Sequence, residues 1–219
     1  QVLSIDPDQA RRRRLGIAGA ALGVTLLAAV GGYASYAIQA QNAATCSGAR
    51  EQLAGVWDDA VAADVRRALT ANATAYAGDV AARVDQRLVT YADAWAEMRG
   101  SACESHRRGE QSDSLYDLRM ACLDDRRTAL GALVGVLATA DAAVLEKAVQ
   151  AVDQLPTLAR CADTRALLAQ SPPPDDPAVA RAVDDLRTRL AGARAKLDVG
   201  QFKAARAELE PLRQQAEAL

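Results

Sequence analysis

Four cysteines, one histidine and several adjacent aspartates are the side chains of this chain whose types could do chemistry. Cys46, Cys103, Cys122 and Cys161 could be disulfide partners or metal ligands. A structural zinc site brings its ligands in close pairs, C-x-x-C or the like. No C-x-x-C spacing occurs, and Cys103-Glu104-Ser105-His106 is a single C-x-x-H carrying the sole histidine, with no second close pair to complete a site, so metal is set aside. His106 falls in a charged turn with no serine or cysteine nucleophile matched to it, and reads as a solvated turn residue. Asp58-Asp59, Asp124-Asp125 and Asp175-Asp176 are adjacent in sequence. Adjacent helical residues point in different directions, so these pairs read as solvated faces rather than catalytic dyads. Trp57 and Trp95 keep the register of their apolar stripes and read as core. No catalytic, cofactor-binding or metal site is expected.

Disulfides are then the expected use of the cysteines, and they form in oxidising compartments. Four cysteines allow three connectivities. If the first two long helices form an antiparallel hairpin turning near residue 72, Cys46 lies level with roughly residue 99, close to Cys103. If the third and fourth turn near residue 139, Cys122 lies level with roughly residue 157, close to Cys161. A Cys103–Cys122 bond around a turn near residue 109 leaves an offset of about 10 Å, beyond the usual limit of about 7 Å between Cα atoms. The expected bonds are Cys46–Cys103 and Cys122–Cys161.

The elements that would position these residues are all helical. Alanine dominates, aromatics make up 4% and β-branched runs are absent, which favours an all-α fold. Leu53, Val56, Trp57, Ala60, Val61, Val65, Ala68 and Leu69 form one apolar face, followed by a break at 70–74. Val80, Val84, Leu88, Tyr91, Trp95 and Met98 form a longer stripe ending near Cys103–His106. After the turn at 107–110, Ser112 is a credible N-cap for a third helix carrying Leu115 to Leu137. Ala140-Asp141 interrupts. A fourth helix carries Val144 to Leu155, and Pro156 stops it. A short further helix runs from Thr157 to Gln170. Pro172, Pro173, Pro174 and Pro177 mark 171–177 as a linker. Residues 178–219 then read as two helices around Gly200.

Leu15 to Ile38 carries no charge, and Arg11–Arg14 stand directly before it. Its 24 residues would reach about 36 Å as a helix, against a hydrocarbon core of about 30 Å. The expectation is a transmembrane helix at 15–38 with a cytoplasmic tail at 1–14. Residues 39–170 are then an extracytoplasmic helical domain, and 39–219 lie in the periplasm. The expected localisation is a single-pass inner membrane protein with membrane lipid among its partners. Gly19 and Gly23 form a G-x-x-x-G spacing, the expected contact of a homodimer. Net charge is −2, which argues against a nucleic-acid partner.

Several words of the sequence resemble the region after the membrane helix in myxobacterial-type serine/threonine protein kinases. They are Cys46-Ser47-Gly48, Leu53 to Asp58, Tyr91 to Trp95, Ala102-Cys103-Glu104, Gly109 to Ser112 and Asp117 to Arg126. Leu155-Pro156, Cys161-Ala162-Asp163 and Pro172–Pro174 are similar too. Asp6-Pro7-Asp8 with Arg11–Arg14 resembles the tail that follows the kinase domain in that family. Ala193, Gly200, Phe202, Ala205 and Leu209 are similar to one tetratricopeptide repeat. The resemblance implies a sensor or protein-interaction region that itself lacks the kinase motifs. ATP and magnesium would belong to a kinase domain outside this stretch, and a protein partner would dock on the helical repeat region. A scaffold protein with no kinase domain is the alternative class.

Overall fold

The computed structural model describes residues 31–33, 46–72, 74–169, 174 and 176–218. The chain divides into two units, Gln1–Thr45 and Cys46–Leu219. All that follows concerns the second.

A 3-10 turn, Glu51–Leu53, precedes the first α-helix, α1, Asp59–Ala71. The apolar face expected to run unbroken from Leu53 to Leu69 is therefore split. Gly55 takes φ +73°, a left-handed conformation that costs glycine little and ends the turn. Asp58 then caps α1: its carboxylate accepts from the amides of Gly55 at 2.7 Å and Val61 at 2.9 Å. Leu53 and Trp57 are still buried, but from the 3-10 turn and the bend before α1 rather than from one α-helix.

Helix α2 spans Ala77–Arg107. Its buried positions Ala77, Ala81, Val84, Leu88, Ala92 and Trp95 repeat every three or four residues, the spacing of one helical face. Helix α3, Asp113–Leu137, starts at Ser112, whose Oγ accepts from Leu115 N at 3.2 Å. Helix α4, Ala142–Asp153, starts at Asp141, which caps Val144 N in the same way. Pro156 follows, then a 3-10 turn, Leu158–Cys161, and the short helix α5, Thr164–Leu168. The single helix expected over 157–170 is thus two pieces, separated by the Asp163 cap on Ala166 N.

Helix α6, Pro177–Asp198, opens with Asp176 accepting from Ala178 N at 2.7 Å and with proline at its first position, where no amide donor is needed. It ends at Gly200, φ +84°. Gln201 N donates to Lys196 O at 2.8 Å and Gly200 N to Leu197 O at 3.0 Å, the paired bonds of a Schellman cap. Helix α7, Phe202–Glu217, returns along α6. The expected linker 171–177 lies outside the described residues apart from Pro174, Asp176 and Pro177.

Helices α1 to α4 build one apolar core around Trp95, Leu123, Leu130 and Leu137. Among the described residues, α6 adds Ala195 and its C-cap Val199 to it, and α7 adds none. Helix α6 packs on α3 and, less extensively, on α4, and α7 packs on α6.

The all-α expectation holds for the described residues, which contain helices and no strand. Its membrane part is corrected. Among the described residues no helix is long and apolar enough to cross a membrane. The 31 residues of α2 have the length, but Asp79, Arg83, Asp85, Arg87 and Asp93 recur along it, and charge is costly in hydrocarbon. The expected span 15–38, with Gly19 and Gly23, lies outside the described residues except for Gly31–Tyr33. The expected single-pass localisation, with 39–219 periplasmic, rested on that span and is withdrawn with it.

Candidate docking groove

Two covalent ties hold the frame. Cys46 bonds Cys103 across Cα atoms 5.6 Å apart, and Cys122 bonds Cys161 across 5.5 Å. No described cysteine is left free for a metal. Polar contacts converge on the second tie. Tyr91 Oη donates to Pro156 O at 2.8 Å, and Arg126 Nε to Thr157 O at 3.2 Å. Burial pushes the Tyr91 phenol up to about 12, with Arg126 opposing. Trp95 Nε1 donates to Leu123 O at 2.7 Å, and Arg99 lies over the Trp95 ring at 5.3 Å. Trp95 and Trp57 are both core residues.

The expected solvated turn histidine differs. His106 lies in the last turn of α2, stacked on Tyr116 with ring centroids 4.3 Å apart. Its Nε2 is 3.9 Å from Asp113 Oδ1. Its Nδ1 is buried with no hydrogen-bond partner among the described residues. The aspartate pairs have separate duties: Asp58 and Asp176 cap helices, and Asp124 pairs with Arg99 at 2.8 Å. The two capping amides hold the Asp58 carboxyl below its ordinary range, Val61 first and Gly55 second. Asp175 lies outside the described residues.

Among the described residues, one surface feature left without a partner is a groove on the α6–α7 hairpin. Its volume is about 630 Å³. Val183, Leu186 and Leu190 line one wall, and Leu209, Leu212 and Ala216 the other. Both sets step by three and four residues along one helical face. Leu190 is 51% exposed. Arg187, Arg206, Glu210 and Arg213 rim the groove. Arg187 pairs with Asp184 at 3.2 Å, and Arg213 with Glu217 at 2.6 Å and Glu210 at 3.1 Å. Arg206 has no ion pair among the described residues.

Of the residues compared with a tetratricopeptide repeat, Ala193 and Ala205 are fully buried and Gly200 makes the turn, whereas Phe202 points outward, 67% exposed. Leu209 lines the groove. Its partners Val183, Leu186, Leu190 and Leu212 were not singled out in the sequence, although their spacing carried the signal. No protein-family model, curated protein or solved structure matches the chain.

Proposed function

We propose that this chain is a non-catalytic, protein-binding region of a serine/threonine protein kinase, with the α6–α7 hairpin as its docking unit. The observation that carries the reading is the groove. A pair of helices that adds little to the main core leaves Leu190 and Ala216 exposed and Val183, Leu186 and Leu209 half-buried along one groove, over a buried Leu212. A lone helical repeat cannot bury its own faces, so such a face is suited to a stacked repeat or a partner helix. The kinase part of the reading rests on the sequence words around Trp57, Trp95, Met120-Ala121-Cys122 and Cys161. Those words fall on the disulfide-tied frame. On this reading ATP and magnesium are held by the kinase domain and by no residue described above.

The test uses the intact gene product in cells. Its phosphorylation is followed with the native groove and with Leu190→Glu and Leu209→Glu together. A changed phosphorylation level or response supports the reading. An unchanged level under every growth condition, or the absence of any phosphotransfer by the gene product, contradicts it.

A further inference from the structure

A second concavity lies on the other side of α6. It is a cleft of about 700 Å³ between α3, the α4 terminus with Leu155-Pro156, and α6, within the size range of small-molecule sites. Leu133, Leu155, Pro156, Leu190, Ala191 and Ala195 give it apolar walls. Most of its charged groups are already satisfied. Asp184 pairs with Arg187 at 3.2 Å, Asp198 with Arg194 at 2.9 Å, and Asp124 with Arg99 at 2.8 Å. The two guanidinium groups that line the cleft are therefore both engaged with carboxylates. Three lining side chains are not engaged. Asp125, Thr128 and Gln154 have no side-chain hydrogen bond or ion pair among the described residues, yet they come from two separate elements and meet at one cleft. Asp125 is exposed, yet partial desolvation pushes its carboxyl up, with Arg187 and Arg126 opposing and Asp184 and Asp124 adding to it.

We infer that this cleft binds a small organic cation, with the ammonium or guanidinium group on Asp125 and the apolar body against Leu133, Leu155 and Leu190. An anion is disfavoured because the arginines lining the cleft among the described residues, Arg187 and Arg194, are neutralised by Asp184 and Asp198. A neutral apolar molecule would leave Asp125 desolvated and unpaired, which costs free energy. A cation resolves that, because a charge-assisted hydrogen bond to a carboxylate is about twice as strong as a neutral one. Gln154 and Thr128 offer two further polar contacts. The inference stands apart from the docking reading: the cleft and the groove share only Arg187 and Leu190, on the helix between them.

The probes are hexylammonium, hexanol and hexanoate, titrated into the folded chain and followed by amide NMR shifts. Hexylammonium is expected to give saturable shifts at the cleft segments of α3 and α6, with the other two at least ~10-fold weaker. Asp125→Asn should weaken hexylammonium ~10-fold or more. Asp59→Asn, on the remote start of α1, should leave it unchanged. Gln154→Glu should tighten it several-fold, and this gain does not depend on how well Asp125→Asn folds. The inference is overturned by the absence of saturable hexylammonium binding, by equal binding of hexanoate, or by indifference to both Asp125→Asn and Gln154→Glu.

Discussion

The side-chain amide of Asn72 donates to the carbonyl oxygen of Ala140 at 3.1 Å, and to Ala68 O at 3.0 Å. It closes α1 and at the same time fastens the α1–α2 turn to the α3–α4 turn, 68 residues away in sequence. The two hairpins therefore turn at the same end of the bundle. Asn72→Ala removes both contacts from a half-buried site. The expected loss is about 1–2 kcal/mol, read as a lower midpoint in urea unfolding with an unchanged slope.

The disulfides close segments of 57 and 39 residues. On chain-entropy grounds each contributes roughly 2–4 kcal/mol, with the longer loop slightly ahead. Paired alanine substitutions, Cys46→Ala with Cys103→Ala and Cys122→Ala with Cys161→Ala, should each lower stability by that order. Reductant should destabilise the native chain and leave a chain lacking all four cysteines unaffected. Denaturant unfolding with and without dithiothreitol checks both.

Asp58 gives the fold an acid-sensitive point. Its folded-state carboxyl is held below the ordinary value by the Val61 and Gly55 amides, so the unfolded state binds the proton more readily. Its contribution is present above the unfolded-state value and is lost as pH falls through the folded-state one. Asp58→Asn should lower the thermal midpoint at neutral pH, and the gap to wild type should narrow on acidification. Melting curves between pH 7 and pH 3 test this.

Tyr91 acts at the other extreme. Its phenol is raised to about 12 by burial, so the protonated form is favoured in the folded state. Stability from this group is complete below the unfolded-state value and falls away as pH rises between that value and about 12. Tyr91→Phe should cost about 1 kcal/mol near neutrality through the lost bond to Pro156 O. It should also flatten the alkaline decline of wild type, as seen in unfolding at pH 9 to 11.5.

Much of this architecture was readable from residue spacing. The turns near 72 and 139 and the three-and-four stripe of Val84, Leu88 and Trp95 come from helical periodicity, and antiparallel hairpin arithmetic brings Cys46 to Cys103 and Cys122 to Cys161. The Ser112 cap was equally plain. What periodicity could not see was a residue acting through backbone geometry. Gly55 in a left-handed conformation and Asp58 capping across it break a pattern whose apolar spacing stays helical through 53–69. His106 was misjudged for a related reason: its neighbours in sequence are charged, but its contact is Tyr116 on the next helix. The groove lay in view as Val183, Leu186, Leu190 and Leu209, Leu212, Ala216. An apolar row in sequence does not say whether it faces the core or the outside. That follows from α7 having α6 as its main packing partner.

The docking role of α6 and α7 is tested most directly by selecting helical peptides from a displayed random library on the folded chain, then measuring the selected peptides on the chain carrying Leu190→Glu and Leu209→Glu, whose helical content is checked by circular dichroism. The account predicts amphipathic peptides that cross-link to α6 or α7 and bind the substituted chain at least ~10-fold more weakly, since burying an unpaired carboxylate in an apolar groove is costly. Selected peptides that bind both chains equally, or a selection that enriches nothing, would contradict it.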